Sequence, residues 1–132
     1  MNKRAKSIFR IICGYEKAFD EIEGGAKLAR SNFNIIYEGD LQGESTLLEL
    51  KNYTNDKNAS VYGLERFSGQ LEDKSGTFVL EHTGKFENGI LTSKRTVVPD
   101  SATGGFKGLH GEINLIAGPS DQYQIIFNYY FE

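Results

Sequence analysis

The sequence contains three side chains that can take part in acid–base chemistry, those of Glu65, His82 and Arg95. A carboxylate beside an imidazole commonly orients a general base, and a guanidinium can hold a carboxylate or a developing oxyanion. A histidine placed between an acidic and a basic neighbour would combine both devices. Whether these residues meet depends on the elements that carry them.

Segments of alternating apolar and polar residues, punctuated by Gly, Asn and Asp, recur at spacings of about 12 to 16 residues. One or two helical turns are predicted only at 18–23. Eight strands with short connections can close into a barrel whose interior is just filled by side chains. We therefore predict one all-β domain over residues 1–132, a closed eight-stranded antiparallel meander barrel with little helix. The predicted strands are 7–16, 27–39, 44–54, 59–71, 75–87, 90–98, 108–117 and 122–131.

The hairpin turns predict which side chains face each other, because the turn fixes the register of the two strands. The Asn-Gly turn at 88–89, whose residues tolerate positive φ, sets His82 opposite Arg95. A turn centred on 73–74 sets Glu65 opposite His82. The three side chains are therefore predicted to form one row on three neighbouring strands.

Turns centred on 56–57 and 41–42 extend this register to the earlier strands and divide the residues between two faces. The predicted inner face carries Phe33, Ile35, Tyr37, Thr46, Leu48, Leu50, Val61, Phe67, Phe78, Leu80, Phe86, Leu91 and Val97. The predicted outer face carries Lys27, Glu38, Glu49, Lys51, Arg66, Gln70, Glu81, Lys85 and Lys94. The alternation of apolar and charged residues places the first set in the barrel interior.

The predicted inner row supports two interpretations. Directly opposed residues lie about 4.5 to 5.5 Å apart, so Glu65, His82 and Arg95 are within side-chain reach of one another. Convergent polar groups in an apolar interior are typical of a small-molecule pocket. A buried ion network that fixes strand register is the alternative. Tyr37 and Glu44 are predicted nearer one mouth of the same face, as ligand contacts or, alternatively, as core packing and rim solvation.

Composition excludes several classes of function. Fifteen basic and eighteen acidic residues give a net charge of -3, which excludes a strongly basic nucleic-acid binder. One Cys excludes a disulfide framework and a cysteine-based zinc site, and two His are too few for a His-rich metal site. We expect no metal, no cofactor and no nucleic acid. The aromatic-rich segment 123–131 predicts barrel-wall packing or an interface between copies of the chain.

The amino terminus is basic at 1–6 and mostly apolar at 8–13, which is a faint likeness to a leader peptide. The apolar stretch is too short, however, and Arg10 interrupts it. No run approaches the roughly 20 apolar residues that a membrane helix needs. We expect a first strand at this position, a cytoplasmic location and no membrane association.

Several sequence blocks carry a resemblance to a known family. They are GDLQGEST at 39–46, GLERF at 63–67, SGTFVLEHTG at 75–84, TVVP at 96–99 and GLHGE at 108–112. Together they resemble a bacterial family of unknown function whose fold is similar to the allene oxide cyclase barrel. The resemblance implies an eight-stranded antiparallel barrel. Members of that family often carry Trp at the position of Arg95, and no established substrate allows a catalytic residue to be carried over.

Three functions remain open at this point. The barrel can bind a small apolar or amphipathic molecule, with the Glu65–His82 row orienting its polar end. It can instead be an isomerase or cyclase that uses the same pair for acid–base chemistry, which rests on analogy of fold alone. A packed interior with an assembly role for the outer surface is the third. Interior volume discriminates among them, because a cavity of roughly 300 Å³ or more favours a ligand.

Overall fold

The chain forms a closed antiparallel sheet in the computed structural model, which describes residues 2–132. Each strand pairs with the next one along the chain, and the last pairs with the first. The closed eight-stranded barrel predicted from the sequence is confirmed. Met1, the first residue of the basic segment, lies outside the described residues. The strands are β1 (Lys3–Glu21), β2 (Lys27–Gly39), β3 (Leu41–Asn55), β4 (Asn58–Leu71), β5 (Lys74–Glu87), β6 (Ile90–Val97), β7 (Leu109–Ala117) and β8 (Gln122–Phe131).

Helix is limited, within the described residues, to two single 3-10 turns at Glu23–Gly25 and Gly104–Phe106. The helical turns predicted at 18–23 are wrong, because β1 continues to Glu21 and pairs there with the start of β2. Cross-strand pairing overrides the local propensity of this segment. Neither of the helices found in residues 2–132 is long and apolar enough to cross a bilayer.

The register of the later strands follows the prediction closely. His82 lies opposite Arg95 across β5 and β6, as the turn at 88–89 predicted. Across β4 and β5, however, His82 faces Gly63, and Glu65 faces Leu80. This pairing is shifted by two residues from the predicted one. Because side chains alternate with a period of two, the shift leaves Glu65 on the inner face.

The register of β3 was predicted wrongly, and its faces are exchanged. The chain turns tightly at Asp40, so that Ile35 pairs with Ser45 instead of Leu48. An irregularity near Tyr53 shifts the pairing with β4 by one more residue. A shift by an odd number of residues moves every side chain to the opposite face. Thr46, Leu48 and Leu50 consequently lie outside, whereas the inner face of β3 carries Ser45, Leu47, Glu49 and the half-buried Lys51.

The two ends of the barrel differ in how the chain covers them. At one end, called here the closed end, lie the turns at 39–41 and 71–74 and the longer segment 98–108. Phe106 on that segment is fully buried, with its ring centroid 5.5 Å from Phe78 and 6.4 Å from Phe67. These rings fill the interior between the strands. The opposite end, called the open end, has no comparable segment across it among the described residues.

The segment that covers the closed end is fastened to β5. The backbone N–H of Thr103 donates to the carbonyl of Thr77 at 2.8 Å, and that of Val98 donates to the carbonyl of Val79 at 2.9 Å. Gly76 allows this close approach, since an added Cβ there would lie 2.1 Å from the Thr103 carbonyl oxygen. The segment is therefore a fixed cover.

Candidate functional site

A buried carboxylate lies at the centre of the barrel, between the packed closed end and the open end. Glu65 is fully buried on β4. Its Oε1 accepts a hydrogen bond from His82 Nε2 at 2.8 Å and lies 4.0 Å from Arg95 Nη1. His82 on β5 and Arg95 on β6 are also buried. The structure thus brings together the three side chains that the sequence singled out, with Glu65 reaching His82 diagonally.

The second oxygen of Glu65 has two hydroxyl partners. Tyr37 and Ser45 each donate a hydrogen bond to Oε2 at 2.5 Å. Tyr37 belongs to β2 and Ser45 to β3. Side chains from β2, β3, β5 and β6 therefore surround the one carboxyl group that β4 carries. Burial and the nearby negative charge of Glu65 hold the pKa of Tyr37 well above its usual range, which keeps its hydroxyl proton in place as a donor.

Glu65 is held in its ionised form. Burial alone would raise the pKa of this carboxyl group, but the hydrogen bond from His82, the positive charge of Arg95 and the hydrogen bond from Ser45 together outweigh it. The resulting pKa is about 2. Donation through a neutral Nε2–H suffices for the hydrogen bond, and Arg95 supplies a permanent counter-charge. Glu65 is therefore an anion over the whole physiological range.

His82 is a neutral imidazole in this environment. Burial lowers its pKa below the ordinary value of 6.5, and the positive charge of Arg95 acts in the same direction, against the opposing effect of Glu65. The proton on Nε2 is fixed by the acceptor Glu65, so Nδ1 carries a lone pair. Within residues 2–132 this buried Nδ1 has no hydrogen-bond partner.

Arg95 is the member of the cluster with the fewest partners. Its Nε donates weakly to Ser93 Oγ at 3.4 Å, and its guanidinium carbon lies 5.2 Å from the centre of the Phe9 ring. Its Nη1 is buried and has no hydrogen-bond partner among the described residues. An unpaired buried donor is costly. The guanidinium of Arg95 is therefore the polar group best suited to receive a further acceptor.

A cavity of about 380 Å³ extends from Arg95 towards the open end. It reaches the exposed loop at 118–120 between β7 and β8. The polar side chains on its wall are Arg95, Glu49, Lys51 and Ser120. The remaining wall is apolar and is formed mainly by Phe9, Ile11, Phe33, Ile35, Leu47, Val61, Phe86, Leu91, Leu115 and Tyr123.

A second polar group of residues lies along the cavity wall nearer the open end. Lys51 Nζ is 2.8 Å from Glu16 Oε1 and 3.9 Å from Glu49 Oε1. Ser31 and Tyr53 donate further hydrogen bonds to Glu16. Burial opposes ionisation of Glu16, but Lys51 and these hydroxyl groups lower its pKa below the ordinary value. Lys51 is therefore a cation already shared by two carboxylates.

The predicted site residues do not all take the places expected of them. Of the polar cluster, Arg95 lines the cavity, whereas Glu65, His82 and Tyr37 lie behind it. Glu44 lies exposed on the outer wall, so its predicted place on the inner face is wrong. The cause is the shifted register of β3 described above, which turns Glu44 outward.

Three side chains of the site were missed by sequence reasoning. Ser45 was not considered, and Glu49 and Lys51 were predicted to face outward. The alternation in residues 45–50 can be read on either face, since both Leu47 and Leu48 are apolar. The signal that favours the correct face is the tight turn at Asp40, whose carboxylate accepts a hydrogen bond from the backbone N–H of Lys6.

The described part of the chain contains no set of side chains arranged as metal ligands. No group of three His, Cys, Asp or Glu side chains in residues 2–132 is placed to hold an ion. The cluster around Glu65 instead satisfies its carboxylate with donors. Its chemistry is that of a fixed charge pair with one free guanidinium donor beside an apolar cavity.

Comparison with known proteins places this geometry in a family. The chain matches the family described as "Protein of unknown function (DUF3224)" over residues 5–129. A solved DUF3224 protein of unknown function from Shewanella oneidensis MR-1 shares 25% sequence identity with it. The two structures superpose with a TM-score of 0.82 over 100% of this chain and 99% of the other. No curated protein matches the chain. The resemblance to a family of unknown function is thereby confirmed, and the chain belongs to the DUF3224 family.

Proposed function

We propose that the protein binds a small, mostly apolar molecule inside the barrel, with a polar group of that molecule bound by Arg95. The observation that carries this proposal is the cavity of about 380 Å³ that ends on the buried guanidinium. Ligand pockets commonly occupy about 300 to 1,000 Å³ and combine an apolar wall with a few oriented polar groups. The interior of the open end has both properties.

The residues behind Arg95 act on the ligand through its guanidinium. Glu65 lies 4.0 Å from Arg95 Nη1, and its own oxygens are already bound by His82, Tyr37 and Ser45. A carboxylate held by three donors is a rigid counter-charge. Glu65 is therefore a positioning residue, whose partners keep the guanidinium at the inner end of the cavity.

The two other functions have less support. An isomerase or cyclase similar to allene oxide cyclase would need an acid or base in contact with the substrate, but neither Glu65 nor His82 lines the cavity. A packed barrel with a purely structural role would not contain a cavity of this volume. Ligand binding accounts for both the volume and the free donor.

Titration with a neutral apolar fluorophore tests the proposal. N-phenyl-1-naphthylamine should bind the wild-type protein with a rise in emission, because the apolar wall removes it from water. Ala117→Trp places a large ring in the cavity and should weaken binding by at least about tenfold, or about 1.4 kcal/mol. The reporter is excited beyond the absorption of tryptophan.

Ile116→Trp is the matched control. Ile116 is the preceding residue on β7, and its side chain is exposed on the outer wall. This variant should bind the fluorophore like the wild type. Equal affinities of all three proteins, or no binding by the wild type, would contradict ligand binding in the barrel.

A further inference from the structure

We infer that the polar group of the ligand is an uncharged hydrogen-bond acceptor, such as a ketone, ester or amide oxygen, and not a carboxylate or an ammonium group. The inference rests on the proposed function and concerns the chemistry of the same cavity. It follows from two observations: the charges around the cavity are largely neutralised by one another, and the guanidinium of Arg95 lacks a strong hydrogen-bond acceptor.

The guanidinium offers a donor but little net charge. The Arg95 side chain lines the cavity, and its one hydrogen bond within the described residues is the weak bond from Nε to Ser93 Oγ. Its Nη1 is buried and lies 4.0 Å from Glu65 Oε1, which carries a full negative charge. The pair is therefore close to neutral when seen from the cavity. An acceptor oxygen satisfies the donor without requiring a further positive charge.

A carboxylate in the ligand would meet uncompensated negative charge. Glu49 is 6% exposed and lines the same cavity. Its nearest cation, Lys51, lies closer to Glu16, at 2.8 Å instead of 3.9 Å. Two carboxylates thus share one ammonium group. The charged groups in, behind and beside the cavity are then three carboxylates and two cations, namely Glu16, Glu49 and Glu65 against Lys51 and Arg95. A ligand carboxylate would add a further anion to this set, and burial strengthens such repulsion.

Glu49 and Arg95 stand near enough to act on one small ligand. They belong to one row across the sheet, in which Glu49 pairs with Gly63, Gly63 with His82 and His82 with Arg95. At about 4.8 Å per strand, the backbones of Glu49 and Arg95 are about 14 Å apart along the wall. Their side chains face the same cavity across this distance.

Gly63 leaves room for this arrangement. An added Cβ at that position would lie 3.1 Å from Glu49 Cγ and 3.0 Å from the Leu48 carbonyl oxygen. The acidic side chain consequently passes close over the backbone of Gly63. Its negative charge lies beside His82, which is neutral, and not beside a second cation. A buried anion without a full partner excludes other anions.

An ammonium group is excluded at the opposite end of the same row. To reach the acceptor oxygens of Glu65 it would have to pass Arg95, and those oxygens are already bound by His82, Tyr37 and Ser45. Next to the guanidinium it would find a donor where it needs an acceptor. Next to Glu49 it would lie beside the ammonium group of Lys51, whose Nζ is 3.9 Å from that carboxylate. A neutral oxygen avoids both conflicts.

Displacement of bound N-phenyl-1-naphthylamine by probes of equal chain length tests the inference. The probes are 2-nonanone, nonane, nonanoate and nonylammonium. The ketone should bind the wild type about tenfold more tightly than nonane, which corresponds to one satisfied buried donor. Both charged probes should bind more weakly than the ketone.

Two variants separate the polar contact from the apolar wall. Arg95→Gln should abolish the preference for the ketone over nonane. If removal of one charge prevents folding, the double variant Arg95→Gln with Glu65→Gln removes the charge pair and serves the same purpose. Glu49→Gln should raise the affinity for nonanoate by about tenfold relative to the affinity for 2-nonanone, because it removes one like charge.

The outcomes distinguish the two proposals. Tighter binding of nonanoate or nonylammonium than of 2-nonanone would overturn the uncharged acceptor while keeping the binding function. A ketone preference that survives the loss of the arginine, or an unchanged affinity of Glu49→Gln for nonanoate relative to 2-nonanone, would also overturn it. If N-phenyl-1-naphthylamine does not bind the wild type at all, the binding function fails, and the inference fails with it.

Discussion

The closed and open ends of the barrel fill the same kind of interior in opposite ways. At the closed end, rings from β4, β5 and β8 meet directly, with centroids 5.0 Å apart for Phe67 and Phe78 and 5.9 Å apart for Phe78 and Phe127. Phe106 completes the packing from the covering segment. At the open end the strands surround a cavity of about 380 Å³ instead. The polar cluster around Glu65 lies at the boundary between these regions.

The closed end contributes more to the stability of the barrel than the open end, which contains the cavity. Close-packed aromatic rings bury large apolar areas and tolerate little change in volume. A cavity wall contributes less, since its side chains have no partners on one side. An eight-stranded barrel can thus be held together by one half of its interior while the other half encloses a cavity.

Truncation of one aromatic residue in each half gives the largest expected effect. Phe78 and Phe86 lie on the same face of β5, but Phe78 is fully buried and Phe86 is half-buried on the cavity wall. Phe78→Ala should lower the free energy of unfolding by about 3 to 5 kcal/mol, and Phe86→Ala by about 1 kcal/mol. Urea denaturation measures both. Equal losses would mean that the two halves do not differ in packing.

The charge pair at the boundary predicts a loss of stability in acid. The pKa of Glu65 falls from 4.5 to about 2 on folding, so its contribution is complete above pH 4.5 and is lost as the pH falls towards 2. The lowered pKa of His82 acts in the same direction from about pH 6.5 downward. The fall in the pKa of Glu65 corresponds to about 3 kcal/mol in total, of which about 2 kcal/mol is lost between pH 4.5 and pH 3. Urea midpoints between pH 7 and pH 3 measure this part of the loss.

Two variants show whether Glu65 is the source of this pH dependence. Glu65→Gln removes the titrating group and should give a less stable protein with a flatter profile below pH 4.5. Glu81→Gln changes an exposed carboxylate on the outer wall of β5 that forms no ion pair within the described residues, and it should retain the wild-type profile. Parallel profiles of wild type and Glu65→Gln would show that other groups cause the acid sensitivity.

The sequence predicted the boundary cluster well where its turn chemistry was specific. The Asn-Gly turn at 88–89 adopts positive φ at both residues, and the pairing of His82 with Arg95 follows from it. The turn before β5 was less well defined and displaced Glu65 by two residues, which the long glutamate side chain spans. An even shift preserved the face, so the cluster could be predicted although one register was wrong.

The cavity wall could not be predicted to the same degree because it depends on β3. The turns assumed at 41–42 and 56–57 predicted that Leu48 and Leu50 are buried and that Glu49 and Lys51 are exposed. The barrel does the reverse. Local patterning conflicts with the structure where polar groups are placed inside, and such conflicts are expected at functional sites. The tight turn at Asp40 and the irregularity near Tyr53 carry the information that the pattern lacks.

Adjacent leucines on β3 give the smallest expected effect and test that register directly. Leu47 is 3% exposed and lines the cavity, whereas Leu48 is 45% exposed on the outer wall. Leu47→Ala should lower the free energy of unfolding by about 2 kcal/mol, at the lower end for buried leucines because its site already adjoins a cavity. Leu48→Ala should change it by less than about 0.5 kcal/mol, since a mostly exposed side chain buries little apolar area. Urea denaturation at neutral pH measures both losses, with the unchanged slope as evidence that the unfolded states match. A larger loss for Leu48→Ala would restore the register predicted from a turn at 41–42 and return Glu49 to the outside. The proposed exclusion of an anionic ligand would then lose the like charge on which it rests.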